Sequence, residues 1–439
     1  MGVKRIRFSS FQLILVGFAG VILLGAILLS FPFSGRDGEW TSFSDSLFTS
    51  TSAVCVTGLS VVNTARHWSV FGQIVILALI QIGGMGVVTV GATFAFLAGK
   101  KIGVFGRDTI KESISAPNAG GIVNLTKFIV KGVFIVEFLG AVAMMPVFCG
   151  DYGAKGIWMA IFHSISAFCN AGFDIIDSET GSLTSYVSNP LINVVIMILI
   201  IVGGIGFLVW DDVFAHKLKF YKYRLQSKVA LIVSLFLVLL PAIYFFFFEF
   251  SDMPLEEKVW ASLFQSVTTR TAGFNTVDLT EISDKGTALT IVLMLIGGSP
   301  GSTAGGMKTV TVALLFSAAI SVFRRKTDVE ILKRRVDDGA IKTAATILMI
   351  YITLFLSFGM IIGMVEGIPI GVALFETSSA IGTVGLTLGI TPGLSLLSKI
   401  LLIVLMYIGR VGSLTLIYAA VGNKNNISGK LPLENVTIG

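Results

Sequence analysis

The sequence predicts an all-α membrane protein made of four units in the same orientation, each an outer helix, a short re-entrant segment and an inner helix. Three observations predict it. The 439-residue chain is 54% hydrophobic and only 13% charged, where an ordinary soluble domain carries roughly 25% charge. Its apolar residues gather into long stretches at 11–33, 70–98, 124–148, 190–210, 229–250, 287–323, 343–365 and 395–421, each long enough to cross a bilayer, which takes about 20 residues. A short motif occurs four times, each time between two of these stretches. A mean hydropathy of +0.88 excludes a soluble globule and a disordered chain alike.

The first stretch follows Lys4, Arg5 and Arg7 but lacks a small-residue cleavage site, so it is a first span and not a removed signal peptide. Eight crossings put both termini on one side. The polar segments on that side, 1–10, 99–131, 211–228, 324–342 and 422–439, hold 23 of the 32 basic residues but 9 of the 26 acidic ones. By the positive-inside rule that side, and both termini, are cytoplasmic. The basic runs at 324–326 and 333–335 then act as topology determinants and not as a nucleic-acid surface. Cys55, Cys149 and Cys169 form no CxxC, and His67, His163 and His216 are scattered, so neither a disulfide framework nor a metal cluster is indicated.

The repeated segments are LFTSTSAVCVTGL (47–59), IFHSISAFCNAGF (161–173), LFQSVTTRTAGF (263–274) and LFETSSAIGTVGL (374–386). Each opens on an apolar pair, continues with Ser and Thr, and ends in glycine followed by Leu or Phe. The glycines are Gly58, Gly172, Gly273 and Gly385, spaced 114, 101 and 112 residues apart. The following spans echo one another too, with IGGMG (82–86), VGGIG (202–206), IGGSPG (296–301) and IGRVG (408–412). The units are 11–100, 124–215, 229–323 and 343–421, within one pore domain over 1–439 that ends in a short tail, 422–439. Parallel units of this kind differ from the inverted repeats of many secondary transporters.

The run before each glycine is too short to span, but it can form a helix that crosses halfway and returns as extended backbone. Irregular backbone at membrane depth is tolerated only where it is buried in protein or lines water. Glycine permits the torsions such a return needs. Four strands of inward carbonyls around one axis can replace the water shell of a cation, helped by the negative C-terminal ends of the half-crossing helices. For any one copy the alternative is a buried loop with glycine as an ordinary helix cap.

The third inner span is interrupted. Between apolar 288–296 and 310–323 lies GGSPGSTAGGMKT (297–309). Pro300 removes a backbone donor and the glycines weaken the helix. The residues Gly297, Gly298, Ser299, Pro300, Gly301, Ser302, Thr303, Ala304, Gly305 and Gly306 form a candidate gate below the filter, the alternative being a static kink. Lys308 closes the break and can reach carbonyls or the cytoplasmic mouth. Arg410 interrupts the fourth inner span, where a charge is expensive and faces a cavity or a partner; it can raise an electrostatic barrier or hold the break closed, the alternative being a structural ion pair. For Glu137 and Arg270 a structural ion pair is expected. His163 is expected to pack or hydrogen-bond, and Cys55 and Cys169, each three residues before its glycine, carry no redox chemistry.

VTGL (56–59), NAGF (170–173), TRTAGFN (269–275), GTVGLT (382–387), QIGGMG (81–86) and IGRVG (408–412) resemble the Trk/Ktr/HKT superfamily of potassium transporters, with the KtrB type of membrane subunit nearest. The resemblance covers nearly the whole chain. It implies a pseudo-fourfold, potassium-channel-like fold around a central pore, and a homodimer with a pore in each subunit. Matching the family's motifs residue by residue sets the filter at Val54, Cys55, Val56, Thr57 and Gly58; Phe168, Cys169, Asn170, Ala171 and Gly172; Thr269, Arg270, Thr271, Ala272 and Gly273; and Ile381, Gly382, Thr383, Val384 and Gly385. Only GTVG at 382–385 comes near the channel signature, and the third copy is one residue shorter, which implies a less uniform filter. Arg270 cannot ligate a cation, so only its backbone can line the path. The family has a mobile intramembrane loop where 297–309 falls.

The resemblance further implies potassium (K+) as substrate, bound by filter carbonyls, sodium (Na+) dependence, and control by a cytoplasmic KtrA-type RCK ring that binds ATP or ADP and seats on 99–131 and 324–342. No covalently bound cofactor is implied. The chain has no Walker motif, so the membrane potential in a cell membrane, such as a bacterial inner membrane, is the expected driving force. Within the same fold, a sodium or less selective monovalent-cation transporter is the alternative. A solute:cation symporter would favour inverted repeats and several intramembrane carboxylates, whereas only Glu137 lies well inside a span. A membrane enzyme would need a convergent set of His, Cys or acidic residues, which is lacking.

Overall fold

The computed structural model describes residues 9–97, 103–114, 120–177, 182–412, 415, 416, 418 and 419. The tail at 422–439 lies outside these residues, as do parts of the 99–131 segment.

Four long apolar helices form the periphery: Ser10–Ser30, Ile122–Tyr152, Leu225–Tyr244 and Asp338–Glu366. The third runs on through a π-helical turn, Phe245–Glu249. Each is followed by a half-crossing helix: Phe43–Val54, Lys155–Phe168, Leu255–Thr268 and Ile370–Gly382. At 1.5 Å per residue these reach only about 20 Å. Four inner helices then begin at Val70, Pro190, Asp284 and Leu396. Ser69, Asn189, Ser283 and Ser395 precede them, and each side chain accepts a first-turn amide, from Gly72, Ile192, Gly286 and Ser398 respectively. All four inner helices therefore start on the same capping chemistry.

The apolar stretches 70–98 and 190–210 are each bent in two. The inner helices stop at Met85 and Gly204, and new helices, Val87–Leu97 and Phe207–His216, leave at 97° and 96°. The cause is local. Gly86 and Gly206 have φ of +85° and +97°, torsions that a side chain makes costly. The fourth inner helix ends the same way, at Val411 before Gly412 with φ +89°. A helix break thus occurs in all units, but the third has extended backbone at Ile296, φ −98°, in place of a positive-φ glycine, and a longer chain after it. There the inner helix stops at Leu295 and the chain resumes at Thr309–Phe323. One further addition to the all-α expectation is a two-stranded hairpin, Glu330–Ile331 with Arg334–Arg335, inside 324–342.

The units close on themselves. Each half-crossing helix packs on its own outer helix and on the inner helix of the preceding unit: Lys155–Phe168 on the first inner helix, Leu255–Thr268 on the second, Ile370–Gly382 on Asp284–Leu295, and Phe43–Val54 on the fourth. That last contact joins the two ends of the chain and makes a ring.

Candidate functional site: a four-stranded ring and the loop beneath it

Each half-crossing helix ends in a left-handed residue. Val56, Asn170, Thr271 and Thr383 have φ of +50°, +56°, +65° and +51°, and the ring glycines that come after them, Gly58, Gly172, Gly273 and Gly385, have +93°, +67°, +79° and +95°. Three of the first set are β-branched, for which positive φ is strained, and strain of this kind gathers at functional sites. The strained turns are held by backbone bonds. The amides of Thr57, Ala171 and Val384 each return to a helix carbonyl five residues back, Ser52, Ser166 and Ser379, at 2.8 Å, the pairing of a Schellman motif. In the shorter third copy Ala272 returns only four residues, to Thr268, at 2.9 Å. A hydroxyl one helical turn earlier also helps. Ser52 and Ser379 accept the Gly58 and Gly385 amides at 3.0 Å, and Ser166 and Thr268 donate to the Phe173 and Phe274 carbonyls.

The four strands touch in cyclic order. A methyl group on Gly58 would collide with the Ala171 carbonyl, on Gly172 with that of Ala272, on Gly273 with that of Val384, and on Gly385 with that of Thr57. The expected filter residues are brought together around one axis. Only glycine fits at these four positions, because the backbones of neighbouring strands occupy the side-chain space. The inner-helix motifs serve the same purpose from behind. A methyl on Gly83, Gly203 or Gly409 would run into the carbonyls of Val54, Phe168 and Ile381, the first residue of each strand.

The chain between Ile296 and Lys308 folds back under this ring. It is pinned at its base, where the Gly297 amide donates to Met307 at 2.8 Å and Thr309 to Gly298 at 3.0 Å. It also docks on the second unit. Ser299 and Thr303 amides donate to the Gly204 and Gly203 carbonyls at 2.9 and 3.2 Å, and the Phe207 amide donates to Gly301 at 2.7 Å. The Thr303 hydroxyl lies 3.1 Å from the Phe168 carbonyl and 2.8 Å from Asn170 Oδ1, and so reaches the base of the second strand. Gly305 and Gly306 pack against Thr383 and the Gly382 carbonyl of the fourth. Below the loop is a cavity of about 250 Å³ whose wall includes Gly86, Ser113, Met307, Lys308, Tyr351 and Arg410.

Both cations in that wall are satisfied by backbone oxygen. Arg410 donates to Thr303 in the loop, and to Gly83 and Gly84 at 2.5 and 3.0 Å. It therefore ties the loop to the end of the first inner helix. Lys308 reaches the Ala304 and Gly305 carbonyls at 2.7 and 3.3 Å. The ion pairs expected for Glu137 and Arg270 are corrected: among the described residues neither has an opposite charge within bridging distance. The Glu137 carboxylate takes the Gln81 amide at 3.0 and 3.2 Å and lies 3.9 Å from the Cys169 thiol. Arg270 donates to the Ser234 hydroxyl at 2.9 Å and keeps its chain buried. Amides and hydroxyls have replaced counter-charges in both cases. His163 is a packed residue, its Nδ1 2.7 Å from the Met159 carbonyl among Phe148, Phe162 and Phe274.

Two acidic residues at the site were not singled out from the sequence. Glu376 is fully buried in the fourth half-crossing helix. Its one signal is that a carboxylate stands where the other copies have Thr49, His163 and Gln265. Asp174 lies two residues beyond Gly172, on the side of the ring opposite the loop. Shielding from water pushes its carboxyl up to about 6, against the pull of the Ile176 amide.

A ring of strained turns inside a bundle of apolar helices, closed below by a backbone loop, defines a membrane cation-transport protein with a potassium-channel-like fold. More narrowly, residues 24–428 match the family described as TrkH, cation transport protein, and the chain belongs to it. The chain is 41% identical to the potassium/sodium uptake protein NtpJ of Enterococcus hirae, over 99% of this chain and 98% of that one. It is 37% identical to the Ktr system potassium uptake protein B of Bacillus subtilis, over 95% and 94%. Its fold matches the crystal structure of the potassium transporter TrkH from Vibrio parahaemolyticus with a TM-score of 0.75, at 19% identity, over 95% of this chain and 86% of that one.

Proposed function

We propose that the chain takes up potassium across the cell membrane through a selectivity filter of main-chain carbonyls at 54–58, 168–172, 269–273 and 381–385. The closed cycle of glycine contacts carries this reading. One strand from each quarter of the chain takes part in that cycle, and each carries positive φ at its turn residue and at its ring glycine, which supports a filter built from main-chain carbonyls. Carbonyl rings of this kind substitute for a cation's hydration shell. The relatives from B. subtilis and E. hirae, named for potassium and for potassium/sodium uptake, support the choice of ion and keep sodium as the second reading, either as activator or as a transported ion. The membrane potential is the driving force. At 100 mV it is worth about 2.3 kcal/mol per charge, or roughly 50-fold accumulation.

The loop at 297–308 is the gate, held shut by Arg410 and resting against the bases of the second and fourth strands. Both termini are cytoplasmic, which the basic residues on that side support. The protein works as a homodimer with a pore in each subunit. A cytoplasmic KtrA-type RCK ring binding ATP or ADP controls it from 99–131 and 324–342; the "Ktr system" in the name of the B. subtilis relative supports a multi-component assembly. The test is potassium and sodium uptake in cells lacking their own uptake systems, with the parent chain and with Gly385→Asp. The variant is expected to lose uptake, since its side chain would meet the Thr57 carbonyl. Normal growth on low potassium at parental protein levels would overturn the reading.

A further inference from the structure

The residue after the apolar pair in each half-crossing helix is buried in all four units, but its chemistry differs: Thr49, His163, Gln265 and Glu376. Each lies three residues before the hydroxyl that meets the returning strand (Ser52, Ser166, Thr268 and Ser379), and so on the same helix face. Three of them make no bond to that strand. The Thr49 hydroxyl and both amide atoms of Gln265 have no partner, and His163 bonds only within its own helix. Glu376 alone reaches across. One carboxylate oxygen accepts the Thr387 hydroxyl and the Leu388 amide, the latter at 3.2 Å, and the other accepts the Thr391 hydroxyl at 2.9 Å. The Thr387 oxygen in turn takes the Gly389 amide at 3.0 Å. Among the described residues no Lys or Arg pairs with this carboxylate. A buried acid without a counter-charge is costly unless hydrogen-bond donors satisfy it, and three donors from one five-residue stretch do so here.

The fourth strand is therefore anchored at three levels. Its base rests on the loop through Gly305, Gly306, Thr383 and Gly382. Its ring glycine is held by Ser379. Beyond the ring, Glu376 fastens 387–391. We infer that Glu376 is a positioning residue for ion selection, fixing the fourth strand from behind so that the opening at Gly385 keeps one width. This rests on the filter reading above. Without the brace, the strand can draw in around the smaller sodium ion, and discrimination falls.

The test is the ratio of potassium to sodium uptake in the same deficient cells, at matched protein levels, for the parent, Glu376→Gln, Thr387→Val, Thr387→Ser and Gly385→Ala. Glu376→Gln and Thr387→Val are expected to lower the ratio about tenfold, the equivalent of one lost charge-assisted hydrogen bond. Thr387→Ser, which keeps the hydroxyl, is expected to hold the parental ratio. Thr387→Val leaves the carboxylate in place and decides the matter if Glu376→Gln does not accumulate. A parental ratio in Thr387→Val, or an equal loss in Thr387→Ser, overturns the brace. If Gly385→Ala shifts the ratio while Thr387→Val does not, the filter reading survives and the brace alone falls. If Gly385→Ala also leaves the ratio unchanged, the filter reading falls with it.

Discussion

The first and third units treat the same helix end in opposite ways. Both inner helices stop at a glycine motif beside the base of the ring. In the first, one residue, Gly86, turns the chain by 97° and a new helix leaves at once. In the third, the residues from Ile296 to Lys308 come between the two helices and fold back beneath the ring. The second unit behaves like the first, and its buried end, Gly203 and Gly204, is where the third unit's loop docks. Pseudo-symmetry thus provides three short helix ends and one extended one, and the extended one folds beneath the ring. A helix end leaves carbonyls without intrahelical partners, and those of the first and second units are the ones taken up by Arg410 and by the loop.

Removing 298–306, so that the third unit turns as the first does, should have the largest effect. A gate that is open about 1% of the time gains about 100-fold in flux when it is lost. Passive cation leak in vesicles is the measurement, and unchanged leak at normal protein levels would end the gate assignment. Arg410→Gln should come next. It removes charge-assisted bonds to the loop and to the first unit, each worth about 1.5–3 kcal/mol, so the open population should rise on the order of tenfold. Uptake kinetics read this out, and kinetics equal to the parent would return Arg410 to a structural role. Gly206→Ala should have the smallest effect on transport and act on stability instead. Its φ of +97° and a Pro300 carbonyl that would lie 2.7 Å from an added Cβ give an expected cost of about 1–3 kcal/mol. Thermal unfolding in detergent measures it, and an unshifted midpoint would mean that the 96° turn needs no glycine.

The same contrast explains how far the sequence alone was legible. The ring could be located because glycine is required by backbone crowding at Gly58, Gly172, Gly273 and Gly385, and a steric requirement shows as residue identity. The loop could be located because five glycines and a proline cannot continue a helix. The turns at Gly86 and Gly206 were missed because Val87–Leu97 and 207–210 remain apolar, so hydropathy runs on through the bend. The partners of Glu137 and Arg270, and the first-unit carbonyls that Arg410 also meets, were beyond reach for a different reason. Carbonyls, amides and hydroxyls satisfy them, and these groups leave no complementary charge to find. Glu376 was visible as a letter, but its three donors from 387–391 become neighbours only once the strand returns.

The contact of Gly385 with Thr57 joins residues from opposite ends of the chain. Its entropic cost is modest, because closing a loop grows only with the logarithm of its length. Its timing has a larger consequence. During synthesis, three quarters of the protein can already sit in the bilayer while the circle still lacks a member, so the ring glycines meet their full set of neighbours only after the last unit has arrived.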